Sequence, residues 1–181
     1  MTPEAALAMF VQAGLQHLYY IFPLDNVASI KTYGILPLNE IKRRKISNAS
    51  FALEEAQAWR DTFVVPLADG SQAPVHDLVP LYFNPCNPTL IKRKEMWKGF
   101  GIAIVPIPLL VPVIRSWTLA DGNAASHKTH YWKGQDAVAH LDRHLLRASG
   151  WTQDPALKDE HKRRRCAELL ASPSVPASCI E

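Results

Sequence analysis

The chain has 181 residues, of which 48% are hydrophobic and 20% charged, and its formal net charge is +3. This composition is typical of a globular protein, and the length predicts a single domain over residues 1–181. The sequence has no uninterrupted apolar run of about 18 residues, which argues against a membrane-spanning helix and a membrane partner. Cys86, Cys166 and Cys179 are odd in number and lack CxxC spacing. We therefore expect reduced thiols in the cytoplasm, with no zinc site or disulfide framework.

The first part of the chain alternates helical and extended patterns. Hydrophobic periodicity predicts, in order, a helix over 3–17, a strand over 18–22, a helix over 26–32, a loop over 37–51, a helix over 53–59 and a strand from 63 to 65. Asp25 or Asn26 can cap the second helix, and Gly34 can end it. The 37–51 segment is polar and basic with little periodicity, so it is predicted to fold over a ligand as a loop.

The second part begins with an apolar run that leads into a rigid turn. Asn84-Pro85 and Asn87-Pro88 end this run, because proline fixes its own φ and disfavours helix in the residue before it. The predicted elements are strands over 78–83, 98–105 and 111–117, an amphipathic helix over 135–149 and a charged helix over 154–170. Short strands between helices, without regular βαβ units, indicate an α+β fold.

Basic residues are concentrated in three runs, at 42–45, at 92–94 with Lys98, and at 162–165. Such runs can neutralise the phosphates of a nucleic acid. Each run taken alone is also typical of a solvated helix face, and Asp159 and Glu160 can pair locally with the last one.

The segment 75–90, VHDLVPLYFNPCNPTL, carries the clearest motif. It resembles the VP-x-YFNP signature of the DarT family, toxins that transfer ADP-ribose from NAD to bases in DNA. Segments 18–39, 56–60, 121–126 and 165–170 resemble other elements of that family in the same order. The resemblance is strongest over residues 18–170. It implies an ADP-ribosyltransferase-like split mixed β-sheet with helices around a central NAD cleft.

The resemblance implies two catalytic residues. Glu168 matches the family's catalytic glutamate, whose carboxylate stabilises the positive charge that develops on ribose when the nicotinamide bond breaks. Arg60 matches the functional arginine, which holds phosphate and supports the target base. Read without the resemblance, Glu168 is a charged-helix residue neutralised by Arg164 or Arg165, and Arg60 is a surface residue of a helix.

The implied cofactor-binding residues include one departure from the family pattern. The family typically shows His-x-Thr in its opening element, where this chain has Tyr20, Ile21 and Phe22. Tyrosine can still donate a hydrogen bond and stack, whereas phenylalanine can only pack. Ser29 and Pro37 match further contacts to NAD.

The implied substrate-recognition loop spans 122–168. His127 and Tyr131 in this loop, with Tyr82 in the signature, are predicted to stack on an extruded base and to hydrogen-bond its edge. An aromatic cluster packed on the sheet is an equally good reading of Tyr131 and Trp132.

Two other patterns resemble sites. His140 and His144 have the four-residue spacing of metal ligands, but the intervening residues lack the glutamate of an HExxH motif, so solvent-facing histidines are expected. His76 and Asp77 resemble half of a catalytic dyad, for which no nucleophile is identifiable.

Together these features predict an enzyme that uses NAD as a substrate, without a metal, to modify single-stranded DNA, with thymidine as the expected base. Its toxicity implies a macrodomain-type antitoxin as partner. Two alternatives stay open: a catalytically inactive nucleic-acid-binding homologue, and a transferase that acts on RNA, a guanine base or protein.

Overall fold

The computed structural model describes residues 1–50, 54–88, 99–148 and 152–181, with only the backbone of 54–56. The described helices are α1 (Pro3–Gln12), α2 (Val27–Tyr33), α3 (Leu38–Arg44), α4 (Glu54–Thr62), α5 (Ile107–Leu110), α6 (Arg143–Arg147) and α7 (Lys158–Arg165). Short 3₁₀ turns lie at Leu24–Asn26, Val75–Asp77, Ala137–His140 and Ala177–Cys179. Within these ranges, no helix combines the length and apolarity that a bilayer-spanning segment needs.

Six strands form the main sheet and two form a separate hairpin. The described strands are β1 (His17–Pro23), β2 (Val64–Pro66), β3 (Gln72–Pro74), β4 (Val79–Tyr82), β5 (Phe100–Pro106), β6 (Ser116–Ala120), β7 (Tyr131–Trp132) and β8 (Glu168–Ser172). The main sheet has the order β5-β1-β4-β8-β6-β7, and β2 pairs with β3. Helices around one such sheet confirm the α+β class. A sheet of mixed strand direction was expected. In the structure, every pairing between the described strands is antiparallel.

The sheet is split between β1 and β4. These strands share a single registered pair, Tyr19 opposite Tyr82, whereas β1 pairs with β5 along all seven of its residues. Beyond Tyr19 the chain of β1 diverges from β4, which leaves a gap in the middle of the sheet. The expected split is therefore present, and it places an opening beside the centre of the fold.

The hydrophobic core packs the sheet against the N-terminal and C-terminal helical segments. Phe10 of α1 contacts the rings of Phe83 and Trp117, and all three are buried. All five residues of β8 are buried as well. A strand between two neighbours and covered on both faces reads as a continuous apolar run, which ELLAS does after its first residue.

Several predicted elements were wrong in type or extent. The loop over 37–51 contains α3, which begins after Pro37 and ends at Arg44, followed by Lys45 with a positive φ of 56°. Within the predicted helix over 135–149, residues 135–148 contain a 3₁₀ turn followed by the short α6, which Asp142 caps, and position 149 lies outside the described residues. Residues 111–115 are not part of β6, which begins at Ser116.

The most consequential error concerns the helix predicted over 154–170. It ends at Arg165, and the chain turns through Cys166 and Ala167 into β8. The helical pattern was carried by charged residues alone, whereas burial of the following apolar run favours a strand. Glu168 is therefore a strand residue, and its reading as one charge on a solvated helix is wrong.

Candidate active site

Glu168 lies in a row of residues that crosses the sheet. Tyr82 of β4 is opposite Glu168 on one side, and Ala120 of β6 is opposite it on the other. The row continues from Tyr82 to Tyr19 and from Ala120 to Tyr131. Directly opposed residues in a sheet project from the same face. Five strands thus bring this glutamate and its tyrosine neighbours together from distant parts of the sequence.

Arg60 extends from α4 to Glu168. Its Nη2 lies 3.2 Å from Oε1 and 3.3 Å from Oε2 of the carboxylate. The backbone N–H of Ala124 also donates to Oε1, at 3.2 Å. The Glu168 side chain is 0% exposed and that of Arg60 is 14% exposed. A buried charge is costly unless it is paired and hydrogen-bonded, so each member of this pair depends on the other.

The electrostatics of the pair are dominated by burial. Burial raises the pKa of Glu168, while the charge of Arg60 and the N–H of Ala124 act in the opposite direction. Burial disfavours the charged form of Arg60, but Glu168, Tyr82 and Tyr131 outweigh it and raise the pKa of the guanidinium. Arg60 therefore stays charged, and the ionisation of Glu168 is the variable that pH controls.

A cleft of about 430 Å³ opens beside this pair, at the split between β1 and β4. Its size falls within the range of small-molecule sites. Residues from the split sheet, from α3, from α4 and from the loop after β6 contribute to its wall, among them Tyr20, Ile21, Pro80, Tyr82, Leu38, Ile41, Gln57, Arg60, Asn123 and Ser126.

The three β1 residues predicted to bind NAD do not have equivalent positions. Tyr20 and Ile21 line the cleft. Burial raises the pKa of Tyr20, although the nearby charge of Arg60 lowers it. Phe22 is buried in the hydrophobic core, where its ring stacks on Tyr20 with centroids 6.1 Å apart. The aromatic replacement at position 22 is thus a packing residue under the one at position 20.

Ser29 and Pro37 lie next to the cleft. Ser29 lines a smaller cavity that Tyr20 also borders, and its hydroxyl donates to the carbonyl of Asn26 at 2.9 Å. Pro37 precedes α3, between Leu36 and Leu38, both of which line the main cleft.

Asn26 has a role that the sequence did not indicate. Its Nδ2 donates to Asn48 Oδ1 at 2.9 Å and to the carbonyl of Ala49 at 2.8 Å, and its Oδ1 accepts from the N–H of Ala49 at 2.9 Å. Asn48, Ala49 and Asn26 itself line the cleft. From the sequence, Asn26 was predicted to cap a helix. Its actual hydrogen-bond partners could not be predicted, because they are more than twenty residues away.

The predicted base-contacting residues differ in their position relative to the cleft. Tyr82 lines the cleft. The hydroxyl of Tyr131 donates to the carbonyl of Ala124 at 2.9 Å, and burial followed by the charge of Glu168 raises its pKa to about 12. His127 packs edge-on against Trp59 of α4, with ring centroids 6.4 Å apart.

The loop between β6 and β7 is fastened to α7 by a buried ion pair. Asp121 Oδ1 accepts from Arg163 Nη1 at 2.6 Å and from the N–H of His130 at 3.0 Å. Both charged side chains of the pair are only 9% exposed. Arg163 also donates to Glu160, which is 41% exposed. The base of the loop that supplies Ala124 is therefore held beside the strand that begins at Glu168.

The described basic runs are largely neutralised or buried. Arg43 and Arg44 pair with Glu40, and Arg164 pairs with Glu160. Arg165 is 1% exposed and donates to two backbone carbonyls. Lys162 lines the cleft, and the run at 92–94 with Lys98 lies outside the described residues.

The two other histidine patterns that resemble sites are His140 with His144 and His76 with Asp77, and each includes a histidine in contact with other side chains. His140 stacks on Trp132, with centroids 3.3 Å apart. Over the described ranges, no group of three His, Cys, Asp or Glu side chains could hold a metal ion. His76 pairs with Asp61 and Gln57 of α4, while Asp77 accepts from Asn39, so the His76-Asp77 sequence pattern does not mark a catalytic dyad.

Comparison with known proteins agrees with this arrangement. The DarT family, described as ssDNA thymidine ADP-ribosyltransferase, matches residues 19–181. The chain belongs to the DarT family. The fold expected from the sequence is thereby confirmed at the level of the family.

Two relatives make the similarity concrete. A DNA ADP-ribosyl transferase of Thermus sp. (strain 2.9) is 25% identical over 171 residues, 91% of this chain and 78% of the relative. Its structure with ADP-ribosylated ssDNA matches with a TM-score of 0.73 at 21% identity, covering 93% of this chain and 80% of that one.

The second relative is a fusion of a DNA ADP-ribosyl transferase with a DNA ADP-ribosyl glycohydrolase from Thermosipho africanus (strain H17ap60334). It is 32% identical over 119 residues, 65% of this chain. The chain spans only 30% of its length. The structure of Thermosipho africanus DarTG with ADP-ribose matches with a TM-score of 0.73 at 26% identity, covering 92% of this chain and 43% of that one.

The ion pair at the base of the loop yields a stability prediction. Asp121→Ala leaves Arg163 nearly buried beside its remaining, more exposed partner, so it should cost about 2–4 kcal/mol of unfolding free energy. Glu160→Ala removes the more exposed partner of the same arginine and should cost less than about 1 kcal/mol. Urea unfolding of both variants measures the difference, and equal losses would contradict the account.

Proposed function

We propose that this chain transfers ADP-ribose from NAD to a thymidine base in single-stranded DNA, as one transferase domain over residues 1–181. The observation that carries the proposal is the buried Arg60–Glu168 pair next to the cleft in the split sheet. Membership of the DarT family supports it. The structures of Thermus sp. 2.9 DarT with NAD+ and with ADP-ribosylated ssDNA supply the substrate classes.

Glu168 is the residue we assign to bond cleavage. When the nicotinamide–ribose bond breaks, nicotinamide leaves as a neutral molecule and the ribose carbon develops positive charge. A fixed carboxylate facing that carbon stabilises the charge without reorganising. In thymidine N1 of the base bears the sugar, so N3 carries the only ring N–H. This N3 then forms the new bond to the ribose carbon and loses its proton to solvent.

Arg60 has two roles in this proposal. Its charge opposes the effect of burial on Glu168 and so favours the carboxylate form that the reaction needs. Because it also lines the cleft, its guanidinium is placed to hold a phosphate or a carbonyl oxygen of the target base. Proton removal by arginine is not required, since thymine can release its proton to water.

The dinucleotide is proposed to bind along β1 and the start of α3. Tyr20 and Ile21 contact it directly, and Phe22 supports the ring of Tyr20 from the core. Ser29 acts through the smaller adjoining cavity, and Pro37 directs α3 against the cleft. Hydrogen bonding and stacking by Tyr20 replace the histidine that the family typically has.

The target base is proposed to contact Tyr82, His127 and Tyr131. Tyr82 supplies an aromatic wall of the cleft, and His127 lies against the ring of Trp59 in α4. Tyr131 also fixes the loop that carries Ala124, because its hydroxyl donates to the carbonyl of that residue. Aromatic faces of this kind stack on unpaired bases.

We further propose that the protein is a cytoplasmic toxin with an antitoxin partner. The Thermosipho relative joins the transferase to a glycohydrolase in one fusion protein. An enzyme that removes ADP-ribose from DNA would counter the activity proposed here, and a separate macrodomain-type antitoxin would serve that purpose for this chain.

The proposal predicts transfer of label from NAD to DNA. Purified protein incubated with labelled NAD and thymidine-containing single-stranded oligonucleotides should yield a labelled oligonucleotide. Glu168→Gln should lower the rate by at least about 100-fold, because charge stabilisation at the reacting centre is lost. Gel separation and scintillation counting measure the product.

Glu4→Gln, at the exposed start of α1, is the matched control and should react at the unmodified rate. Oligonucleotides lacking thymidine, RNA and protein acceptors test the alternative substrates. DNA binding without transfer, equal with glutamate or glutamine at position 168, would replace the proposal with the inactive nucleic-acid-binding alternative.

The raised pKa of Glu168 predicts the acid limb of the pH profile. The active carboxylate is lost as pH falls through a pKa above the ordinary value of 4.5, so the decline in rate should begin at a higher pH than for an ordinary glutamate. Arg60→Gln removes the charge that opposes burial and should move the limb to higher pH. Single-turnover rates on an all-pyrimidine oligonucleotide measure it, with Arg164→Gln as control. A shift to lower pH in Arg60→Gln would overturn the assignment.

A further inference from the structure

His76 is a buried side chain that the proposed mechanism does not use. It lies in the 3₁₀ turn Val75–Asp77, between β3 and β4, and is 5% exposed. Its Nδ1 is 2.6 Å from Asp61 Oδ1, and its Nε2 is 2.6 Å from Gln57 Oε1. Both ring nitrogens are therefore engaged by the same helix, α4.

The two partners are spaced so that they restrain the helix. Residues four apart lie one above the other on one face of a helix. One contact at each end of a helical turn restrains both the rotation of α4 about its axis and its displacement along it. Arg60 precedes Asp61 by one residue and therefore projects from a different side of α4, towards Glu168. The histidine and the glutamate thus contact α4 from different directions.

This restraint matters because α4 is short. The helix has nine residues, and isolated helices of that length are marginal in water. Besides the Arg60–Glu168 pair, α4 has aromatic side-chain contacts, between Trp59 and the rings of Phe63 and His127. A tilted aromatic contact tolerates sliding better than two hydrogen bonds of fixed length do.

We propose that His76 is a positioning residue for Arg60: by joining Gln57 to Asp61, it sets the register of α4 at which the guanidinium meets both Glu168 and the cleft. The inference rests on the proposed function, since it gives His76 its effect on activity through Arg60. His76 lines the cleft as well, but the proposal requires no contact between its ring and the substrate.

The arrangement tolerates either charge state of the imidazole. When both ring nitrogens are protonated, they donate to the Asp61 carboxylate and to the Gln57 amide oxygen. When the ring is neutral, Nδ1–H donates to Asp61 and Nε2 accepts from the Gln57 amide after that amide is turned over. Two hydrogen bonds to α4 persist in both states, which suits a positioning residue better than a residue that transfers protons.

A double-mutant cycle tests this role. His76→Ala should lower kcat/KM for transfer to the oligonucleotide by about 10- to 100-fold, because a displaced Arg60 no longer meets its partners. In an Arg60→Ala background, the same change should lower it by less than about twofold, since there is no guanidinium left to position. Equal losses in both backgrounds would show a general structural role and overturn the inference.

Neighbouring substitutions supply the controls. Asp61→Asn keeps an oxygen for the ring N–H and should retain activity, whereas Asp61→Ala should resemble His76→Ala. Asp77→Ala removes the acceptor of the 2.7 Å bond from Asn39, in the same turn as His76 and without touching α4, and should change little. If His76→Ala does not fold, the two Asp61 variants decide: equal activities would contradict the proposal.

Hydrogen exchange separates this inference from the proposed function. In His76→Ala, the amides of residues 57–62 in α4 should exchange at least about tenfold faster, and the exchange of the amides in the main sheet should be unchanged. Absence of transfer by the unmodified protein would contradict the proposed function, while this exchange result would still test whether His76 holds α4. Unchanged exchange in α4, in a protein that does transfer ADP-ribose, would contradict the positioning role of His76 alone.

Discussion

The pairing of Arg60 with Glu168 is the interaction on which the rest of the site depends. A carboxylate with no solvent exposure, at the start of a central strand, is unfavourable without a positive partner and a backbone donor. The partner comes from α4 and the donor from the loop after β6. The requirement to satisfy this one buried charge therefore ties together a helix, a strand and a loop that are distant in sequence.

The open site follows from how little β1 and β4 share. One registered pair leaves the two strands free to diverge, and the cleft occupies the resulting gap within reach of Arg60. The surrounding restraints are polar side-chain contacts: Asn26 holds residues 48 and 49, Asp121 holds Arg163, and His76 holds α4. Rigid anchors around an open gap are what a site needs if it is to stabilise charge without reorganising.

Part of this could be predicted from sequence. The signature around Tyr82, with the family resemblance, pointed to the correct fold and to Arg60 and Glu168, which the structure brings into contact. The prediction from local pattern was wrong for the end of the segment 154–170. The charged residues favour a helix, which ends at Arg165, and burial between two neighbouring strands favours β structure from Glu168 onwards. The contacts of Asn26 with Asn48, of His76 with Asp61 and of Arg163 with Asp121 could not be predicted, because each joins residues at least fifteen positions apart. The core position of Phe22 could not be predicted either, because its surroundings include the paired strand β5, which is distant in sequence.

A crystal structure of the protein with a non-cleavable NAD analogue tests the central claim most directly. The account predicts that the dinucleotide occupies the cleft between β1 and β4, with a hydroxyl of the nicotinamide ribose within about 3 Å of the Glu168 carboxylate. Arg60 should then contact a phosphate or face the open position where a base would enter. A dinucleotide bound elsewhere, or one whose ribose lies beyond reach of Glu168, would contradict it.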